Sequence, residues 1–249
     1  EADRPLRLPV QWVNRPDQDF RGFAGLIASG RVTPGDAVRV LPAGTISRVD
    51  QLLLGADPVE GAVAGQSVTV TLTDAVEAAR GSVIVAADAP LEVADRFEAS
   101  FVWLSEEPLL PGRGYWLQLA SQSVTATVQP PKYELGIDSG EQLAARTFEL
   151  NAIGVAELAT DRPLVFAPYA QDRTLGGFIL IDKASNATVA CGMIHFALRR
   201  AHNVHWQALE ISREAHARQK GQRPCVLWLT GLSGSGKSTI ANLVEKKLF

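Results

Sequence analysis

The stretch SVTVTL (Ser67–Leu72) alternates branched apolar side chains with threonine, which places the two kinds of residue on opposite sides of an extended chain. This two-residue period is typical of a half-buried β-strand. DAVRVL (Asp36–Leu41) repeats the pattern. GFILIDKASNATVACGMI (Gly177–Ile194) predicts a strand, a polar turn at Asp182–Asn186 and a second strand. Residues 1–197 are therefore predicted to be rich in β-structure.

Glycine and proline punctuate this region at short intervals, as at Pro34-Gly35 and Pro111-Gly112. Many short strands separated by such turns are typical of β-barrels and sandwiches. The strand pattern is interrupted near Ala89–Asp95 by a proline and acidic residues. We therefore predict two consecutive β-barrels, at residues 1–93 and 94–197.

The sequence changes character after residue 197. Residues 198–222 have few β-branched side chains and predict a linker with one helix, from about Val204 to Lys220. In residues 223–249, a continuous apolar run (Cys225–Gly231) predicts a buried strand, and STIANLVEKKLF (Ser238–Phe249) has apolar side chains at helical spacing. This last part is predicted to be the truncated beginning of a P-loop α/β domain.

A glycine-rich loop joins that strand to that helix. TGLSGSGKST (Thr230–Thr239) fits the G-x-x-x-x-G-K-[ST] pattern of phosphate-binding loops. Glycine lets the backbone turn tightly, so that successive N–H groups and the start of the helix point at an anion. The predicted nucleotide-binding residues are Gly231, Leu232, Ser233, Gly234, Ser235, Gly236, Lys237, Ser238 and Thr239.

Two of these side chains have specific predicted roles. The Lys237 ammonium is expected to reach the β- and γ-phosphates of a nucleoside triphosphate, and the Ser238 hydroxyl to ligate Mg²⁺. A plain glycine-rich turn would not explain a lysine and a hydroxyl at the required offsets. The chain offers no catalytic residue beyond the loop, and we do not expect it to catalyse phosphoryl transfer alone.

Composition limits the possible functions. The chain is 46% hydrophobic and 20% charged, which is typical of a soluble globular protein, and its 249 residues suffice for two domains, or for two and a further piece. A net charge of −3 does not favour nucleic acid or membrane surfaces as partners. Cys191 and Cys225 could pair, but two free thiols in a cytoplasmic protein are the preferred interpretation. The chain starts at Glu1 and stops within a predicted helix, so we expect it to be a fragment of a longer polypeptide.

Two resemblances extend these predictions. VLWLTGLSGSGKSTIANLVEKKL resembles the opening of adenylylsulfate kinase, and NVHWQ (Asn203–Gln207) looks like the lead-in to it. The first 197 residues resemble the second and third barrels of translation GTPases of the elongation factor Tu type, most of all the GTPase (large) subunit of sulfate adenylyltransferase. The stretches that carry this second resemblance are Pro9–Gly44, Leu72–Val85, Val102–Ala120 and Gly176–Ile194.

The two resemblances together are similar to a family of fused bacterial enzymes that join this GTPase subunit to adenylylsulfate kinase. The family implies a mainly β fold with two translation-factor-type barrels, GTP in a preceding domain, and ATP with Mg²⁺ in the kinase. It implies GTP-driven synthesis of adenylyl sulfate with a small catalytic subunit as partner, followed by phosphorylation of adenylyl sulfate to 3′-phosphoadenylyl sulfate. The barrels would be a scaffold and a coupling surface.

Two other functions stay open at this point. A barrel pair of this type could bind tRNA or the ribosome, although the acidic balance and the kinase-like segment oppose that function. The loop could also belong to a different P-loop nucleotide kinase attached to unrelated barrels.

The remaining conspicuous residues have ordinary explanations. His202-x-x-His205 has metal-like spacing but no neighbouring cysteine or carboxylate, so it is assigned to linker polarity. Arg21 could face a partner domain, but a solvated arginine before a strand is slightly preferred. Glu106-Glu107 is expected to be a solvated turn. The five tryptophans are expected mostly to be core or interdomain packing, and they are Trp12, Trp103, Trp116, Trp206 and Trp228.

Overall fold

The computed structural model of this chain describes residues 2–17, 20–137 and 139–200, together with residues 240, 244 and 247. The chain divides into two compact units, Glu1–Asn203 and Val204–Phe249. The described part of the first unit carries two eight-stranded antiparallel β-sheets and a separate two-stranded one. Among the described residues, no helix combines the length and the apolar content that crossing a membrane would need.

The first barrel is built from ten strands in the described part of the first 86 residues. The strands are β1 (Arg7–Pro9), β2 (Trp12–Asn14), β3 (Gly22–Leu26), β4 (Arg31–Val32), β5 (Ala37–Leu41), β6 (Thr45–Leu54), β7 (Asp57–Pro58), β8 (Ala62–Val63), β9 (Ser67–Leu72) and β10 (Val83–Ala86). The order in the sheet is β1-β10-β5-β6-β9-β3-β2, with β7 beside β6 and a separate β4–β8 pair. Gln11 N–H donates to Ala24 O at 2.8 Å and Val10 N–H to Ser82 O at 2.8 Å, so the chain after β1 bridges β3 and β10 and closes the ring.

The core of this first barrel follows from the alternation seen in the sequence. Val68 and Val70 of β9 are buried, and Leu72 packs against the same core, which confirms the strand predicted there. The strand predicted at Asp36–Leu41 is confirmed as β5. The core is largely aliphatic, with Phe23 as its aromatic member.

The second sheet uses longer strands. They are β11 (Glu92–Trp103), β12 (Gly114–Leu119), β13 (Gln122–Val128), β14 (Tyr133–Leu135), β15 (Gln142–Leu143), β16 (Ile153–Phe166), β17 (Gly177–Ile181) and β18 (Thr188–Arg200), with one short helix, α1 (Arg173–Gly176), before β17. The order is β11-β18-β17-β12-β13-β16, and β16 also pairs with β11. This pairing closes a barrel, and the β14–β15 hairpin extends from β16 at its side.

Aromatic rings fill the second barrel. Phe101 meets Phe178 edge to face at 5.5 Å between ring centroids, and Trp103 meets Tyr115 in the same way at 6.0 Å. Gly192 lies opposite Phe178 on β18, and a Cβ built at Gly192 would overlap the Phe178 ring. Glycine is therefore required at that position for the ring to occupy the barrel interior.

The turn predicted at Asp182–Asn186 is confirmed. The Asp182 carboxylate accepts from the backbone N–H of Ser185 at 2.9 Å and of Ala184 at 3.0 Å, and Arg113 lies at 2.5 Å from its other oxygen. Hydrogen bonds from Ser185 and Ala184, followed by the charge of Arg113, lower the pKa of Asp182. This turn fixes the register of the β17–β18 hairpin.

The last strand continues beyond its predicted end. β18 reaches Arg200, because Arg199 pairs with Arg96 and Arg200 with Ala94 on β11. Its last three residues thus lie in the range predicted to be a linker. The helix predicted from Val204 to Lys220 lies outside the described residues.

Candidate functional site

The predicted phosphate-binding loop, Gly231–Thr239, lies outside the described residues, as do Cys225 and the His202 and His205 pair. Immediately after the loop, Ile240, Val244 and Lys247 have helical backbone, which agrees with the helix predicted there. The geometry that the structure does describe concerns the barrels, and it includes three features: the contact between the barrels, an apolar outer surface and a charged cluster.

The first feature is an apolar seam where the two barrels meet. Side chains from both barrels form one buried cluster, bordered by Leu91 and Val93 at the connection between them. The members from the first barrel are Leu41, Val83 and Val85, and those from the second are Val165, Ala167 and Leu175. Burial of these side chains stabilises the contact between the barrels by about 25 cal/mol for each Å² of apolar surface removed from water.

An ion pair crosses the same seam. Arg7 on β1 donates to Asp172 at 2.9 Å, and their side chains are only 17% and 7% exposed. Asp172 is also the N-cap of α1, where its other oxygen accepts from the N–H groups of Thr174 and Leu175. One carboxylate thus satisfies the helix end and the arginine of the other barrel together. Arg4 adds a bond from its guanidinium to Gln171 O at 2.9 Å.

The second feature lies on the outside of the second barrel, away from the aromatic core. Directly opposite residues on adjacent strands form a row, in which Ile179 of β17 faces Cys191 of β18, Cys191 faces Val102 of β11, and Val102 faces Ile153 of β16. All four side chains are half-buried, whereas their sequence neighbours point inward and are buried. We call the resulting apolar surface the outer strip, and its members are Val102, Trp116, Ile153, Ile179, Ile181, Cys191 and Met193.

One end of the outer strip carries an aromatic ring and a charge. Trp116 is 40% exposed and pairs with Ile181 across β12 and β17. The exposed Lys183 ammonium lies 4.1 Å from the centroid of the Trp116 ring and donates to Thr125 at 2.8 Å. A cation over an indole is attracted by the ring quadrupole, so Lys183 marks the margin of the strip with a positive charge.

The third feature is a charged cluster formed by Lys132, directly before β14, with side chains of β11, β16 and β18. Lys132 lies 2.8 Å from Glu98 and 3.0 Å from Glu157, and His195 lies 3.5 Å from Glu98 and 2.8 Å from Ser100. The hydrogen bond from Lys132 is the largest influence on Glu98 and lowers its pKa, against the opposing effect of burial. The same contacts raise the pKa of Lys132. This cluster is an ion-pair network and brings together no group that could hold a metal within the described part of the chain.

A shallow cavity of about 460 Å³ lies on the first barrel, beside the segment directly before β1. It is lined by apolar Leu6 and Val38 and by side chains of both charges, among them Arg31 and Asp88. No paired acid and base or nucleophile lines it, so it offers no catalytic constellation.

Tryptophan shows where the sequence interpretation fails. Of the three tryptophans in the described ranges, Trp103 is a core residue at 1% exposure, but Trp12 is 61% and Trp116 is 40% exposed. Core packing is therefore wrong for Trp12 and Trp116, because both sit at outward positions of their strands, whereas interdomain packing stays a prediction for them.

The structure also describes Arg21 and the Glu106-Glu107 pair. Arg21 donates to Ala78 O at 3.2 Å and lies 5.5 Å from the centroid of the Phe23 ring, so it packs within its own barrel. Glu106 and Glu107 are exposed in a turn, as predicted. The outer strip was missed, although the continuous apolar run GFILI in β17 was a signal that both faces of that strand avoid water.

Comparison with known proteins places the chain. Residues 96–195 match the family model described as GTP-eEF1A C-terminal domain-like, and residues 223–249 match that of adenylylsulphate kinase. Over 241 residues, which are 97% of this chain and 39% of the relative, the chain is 52% identical to the bifunctional enzyme CysN/CysC of Xylella fastidiosa. Over nearly its whole length, the chain is therefore similar to a bifunctional CysN/CysC enzyme. It spans about two fifths of the length of that relative.

The barrel region is also similar to a relative named as a single subunit and to a solved structure. The chain is 43% identical over 194 residues to sulfate adenylyltransferase subunit 1 of Methylorubrum extorquens, covering 78% of this chain and 41% of that protein. Among solved structures, sup35 complexed with GDP superposes with a TM-score of 0.71 at 18% identity, over 80% of this chain and 48% of that one. This structural match shows that the barrels have the translation-factor fold, as predicted.

Proposed function

We propose that this chain is part of a bifunctional sulfate-activating enzyme. In that enzyme, GTP-driven synthesis of adenylyl sulfate from ATP and sulfate precedes ATP-dependent phosphorylation of adenylyl sulfate to 3′-phosphoadenylyl sulfate. The observation that carries the proposal is the 52% identity to a bifunctional CysN/CysC enzyme across both the barrels and the kinase-like segment.

Within the kinase, the loop Gly231–Thr239 is proposed to bind ATP. The match of residues 223–249 to the adenylylsulphate kinase family supports this assignment. Lys237 would hold the β- and γ-phosphates. The hydroxyl of Ser238 is a hard oxygen donor of the kind Mg²⁺ prefers, so it would be the metal ligand. Bound Mg²⁺ would neutralise phosphate charge, while the loop amides orient the triphosphate.

The barrels are proposed to be the non-catalytic part, at residues 1–93 and 94–197, followed by a linker at 198–222 and the kinase from 223. The two separate sheets and their separate cores support two domains there. The relative named subunit 1 supports a further subunit, which we take to be the small catalytic subunit of sulfate adenylyltransferase. GTP would bind in a domain preceding the barrels, and the enzyme is proposed to work in the cytoplasm, where ATP and GTP are available.

The kinase assignment is tested by Lys237→Ala in the full-length enzyme that carries this chain. Loss of a preorganised cationic contact to the phosphates should lower kcat/KM for phosphorylation of adenylyl sulfate by about 100-fold or more. Adenylyl sulfate synthesis, assayed separately from ATP and sulfate, should be unchanged. Lys132→Met, in the second barrel, is the matched control. Phosphorylation at the unmodified rate in Lys237→Ala would refute the assignment.

A further inference from the structure

The outer strip is unusual for a barrel exterior. On the same barrel, β13 presents Ser123, Thr125 and Thr127 outward, in the usual alternation of an antiparallel strand with one face in water. Where β17, β18 and β11 lie side by side at Ile179, Cys191 and Val102, the outward side chains are apolar instead, and the strip is bordered by Ser100 and Gln118. Seven contiguous apolar side chains on a surface that could have been polar indicate a face that is covered in the assembled protein.

The chain itself shows how such a face is covered. At the seam, the second barrel presents Val165 and Ala167, the first barrel supplies a matching set of branched side chains, and one ion pair crosses the contact. The outer strip offers an apolar surface of the same kind, but no matching apolar surface contacts it within the described residues. At its margin Lys183 offers an exposed ammonium, whose described contacts are the Trp116 ring and the Thr125 hydroxyl. A partner complementary to it would bring an apolar surface edged by a carboxylate.

The comparisons indicate which kind of molecule this is. A relative that matches 194 residues of this chain is named as one subunit of sulfate adenylyltransferase, so that protein acts with at least one other polypeptide. The barrel pair up to Arg200 is close to that length. The net charge of −3 disfavours nucleic acid as the occupant.

We propose that the outer strip is the surface on which the barrels bind the second subunit of sulfate adenylyltransferase. Ile179 and Cys191 form its centre, Trp116 is the aromatic anchor, and Lys183 pairs with a carboxylate of the partner at the rim. This inference rests on the proposed function, because it takes the partner from it, but the choice of surface rests on the strand register and burial alone.

The first test measures binding of the purified small catalytic subunit from the same organism to the full-length enzyme. Ile179→Lys places a charge at the centre of the strip and is expected to raise Kd at least about 30-fold. Ala159→Lys, at an outward position further along β16, is the matched control and should bind as the unmodified protein does. Thermal unfolding of both variants checks that the barrels remain folded.

The second test needs no change to the strip. In a Cys225→Ser background, the rate at which Cys191 is alkylated by iodoacetamide is measured with and without saturating small subunit. Burial under the partner should slow alkylation at least about 10-fold, since the thiolate becomes inaccessible. If the small subunit binds with unchanged alkylation and Ile179→Lys binds normally, the surface assignment is overturned while the proposed function stands.

Two other outcomes would also overturn it. Failure of the small subunit to bind the unmodified enzyme would overturn both this inference and the adenylyltransferase part of the proposed function. Protection of Cys191 that depends on the concentration of the chain itself, without the small subunit, would assign the strip to self-association.

Discussion

The second barrel has two apolar surfaces, and only one has its covering within the described chain. At the seam, Val165 and Leu175 are fully buried against the first barrel. On the outer strip, Ile179 and Cys191 are half-buried and Trp116 is 40% exposed. The two surfaces use the same kinds of side chain, so composition alone does not distinguish a contact that holds the fold from one that awaits a partner. The register of the strands and the exposure of each residue do.

The difference also concerns charge. The ion pair at the seam is nearly enclosed and is tied to a helix cap, whereas the Lys132 cluster on the outer face remains 38% exposed at the lysine. Enclosed pairs are costly to break because the remaining partner stays buried, and exposed pairs contribute little. The ion pair at the seam should therefore contribute more to stability than the Lys132 cluster does.

The largest expected effect comes from charging the seam. Val165→Asp would bury a carboxylate without a partner at a position that is 0% exposed, and should lower the free energy of unfolding by about 3 kcal/mol or more. Ile179→Asp on the outer strip is the matched control, expected to cost less than about 1 kcal/mol. Urea unfolding followed by tryptophan fluorescence compares them. Equal losses in the two variants would erase the distinction between the surfaces.

A smaller effect is expected from breaking the ion pair at the seam. Arg7→Met leaves Asp172 buried without its cation and should cost about 2–4 kcal/mol. Adding Asp172→Asn removes the stranded charge, while the amide oxygen can still cap α1, so the double variant should be more stable than Arg7→Met alone. A double variant less stable than the single one would show that the pair does not act through its charge.

The smallest effect is expected from the Lys132 cluster. Lys132→Met should cost less than about 1 kcal/mol at neutral pH. Because the folded pKa of Glu98 is lowered, its contribution is complete above its ordinary value of 4.5 and is lost as pH falls through the folded value. The raised pKa of Lys132 adds stability that is lost only as pH rises above about 10.5.

Lys132→Met should therefore flatten both limbs of the stability–pH curve, which urea midpoints between pH 3 and 11 would show. The unchanged acid limb of a Lys183→Met control would show that the effect belongs to this cluster. A Lys132→Met curve with the same two limbs as the unmodified protein would contradict the assignment.

Local pattern predicted the strands well. The alternation in Ser67–Leu72 and the polar turn in the Gly177–Ile194 hairpin are where the sequence placed them, because a two-residue period and an aspartate turn are encoded within a few residues. The continuation of β18 to Arg200 could not be predicted in this way. It depends on backbone pairing with β11, about a hundred residues earlier in the chain.

The seam and the outer strip could not be predicted from the sequence either, because both depend on contacts between residues that are distant in the chain. Trp116 alternates correctly as an outward residue, but its size suggested the core, and only the neighbouring strands show that it borders Ile181 and Lys183. The seam likewise joins Val85 to Val165 from separate barrels. For the loop at Gly231–Thr239 the opposite holds. Its chemistry was predicted from a local motif, but the loop itself lies outside the described residues.

The position of β18 has a mechanical consequence. Ala94 near the start of β11 pairs with Arg200 at the end of β18, so the chain enters and leaves the second barrel at the same end of two adjacent antiparallel strands. Tension applied between those two points would load the β11–β18 ladder in an unzipping geometry, in which hydrogen bonds separate one after another rather than sharing the force. Under such tension the β11–β18 pairing near Ala94 and Arg200 should separate first, before the aromatic core of the barrel is disrupted.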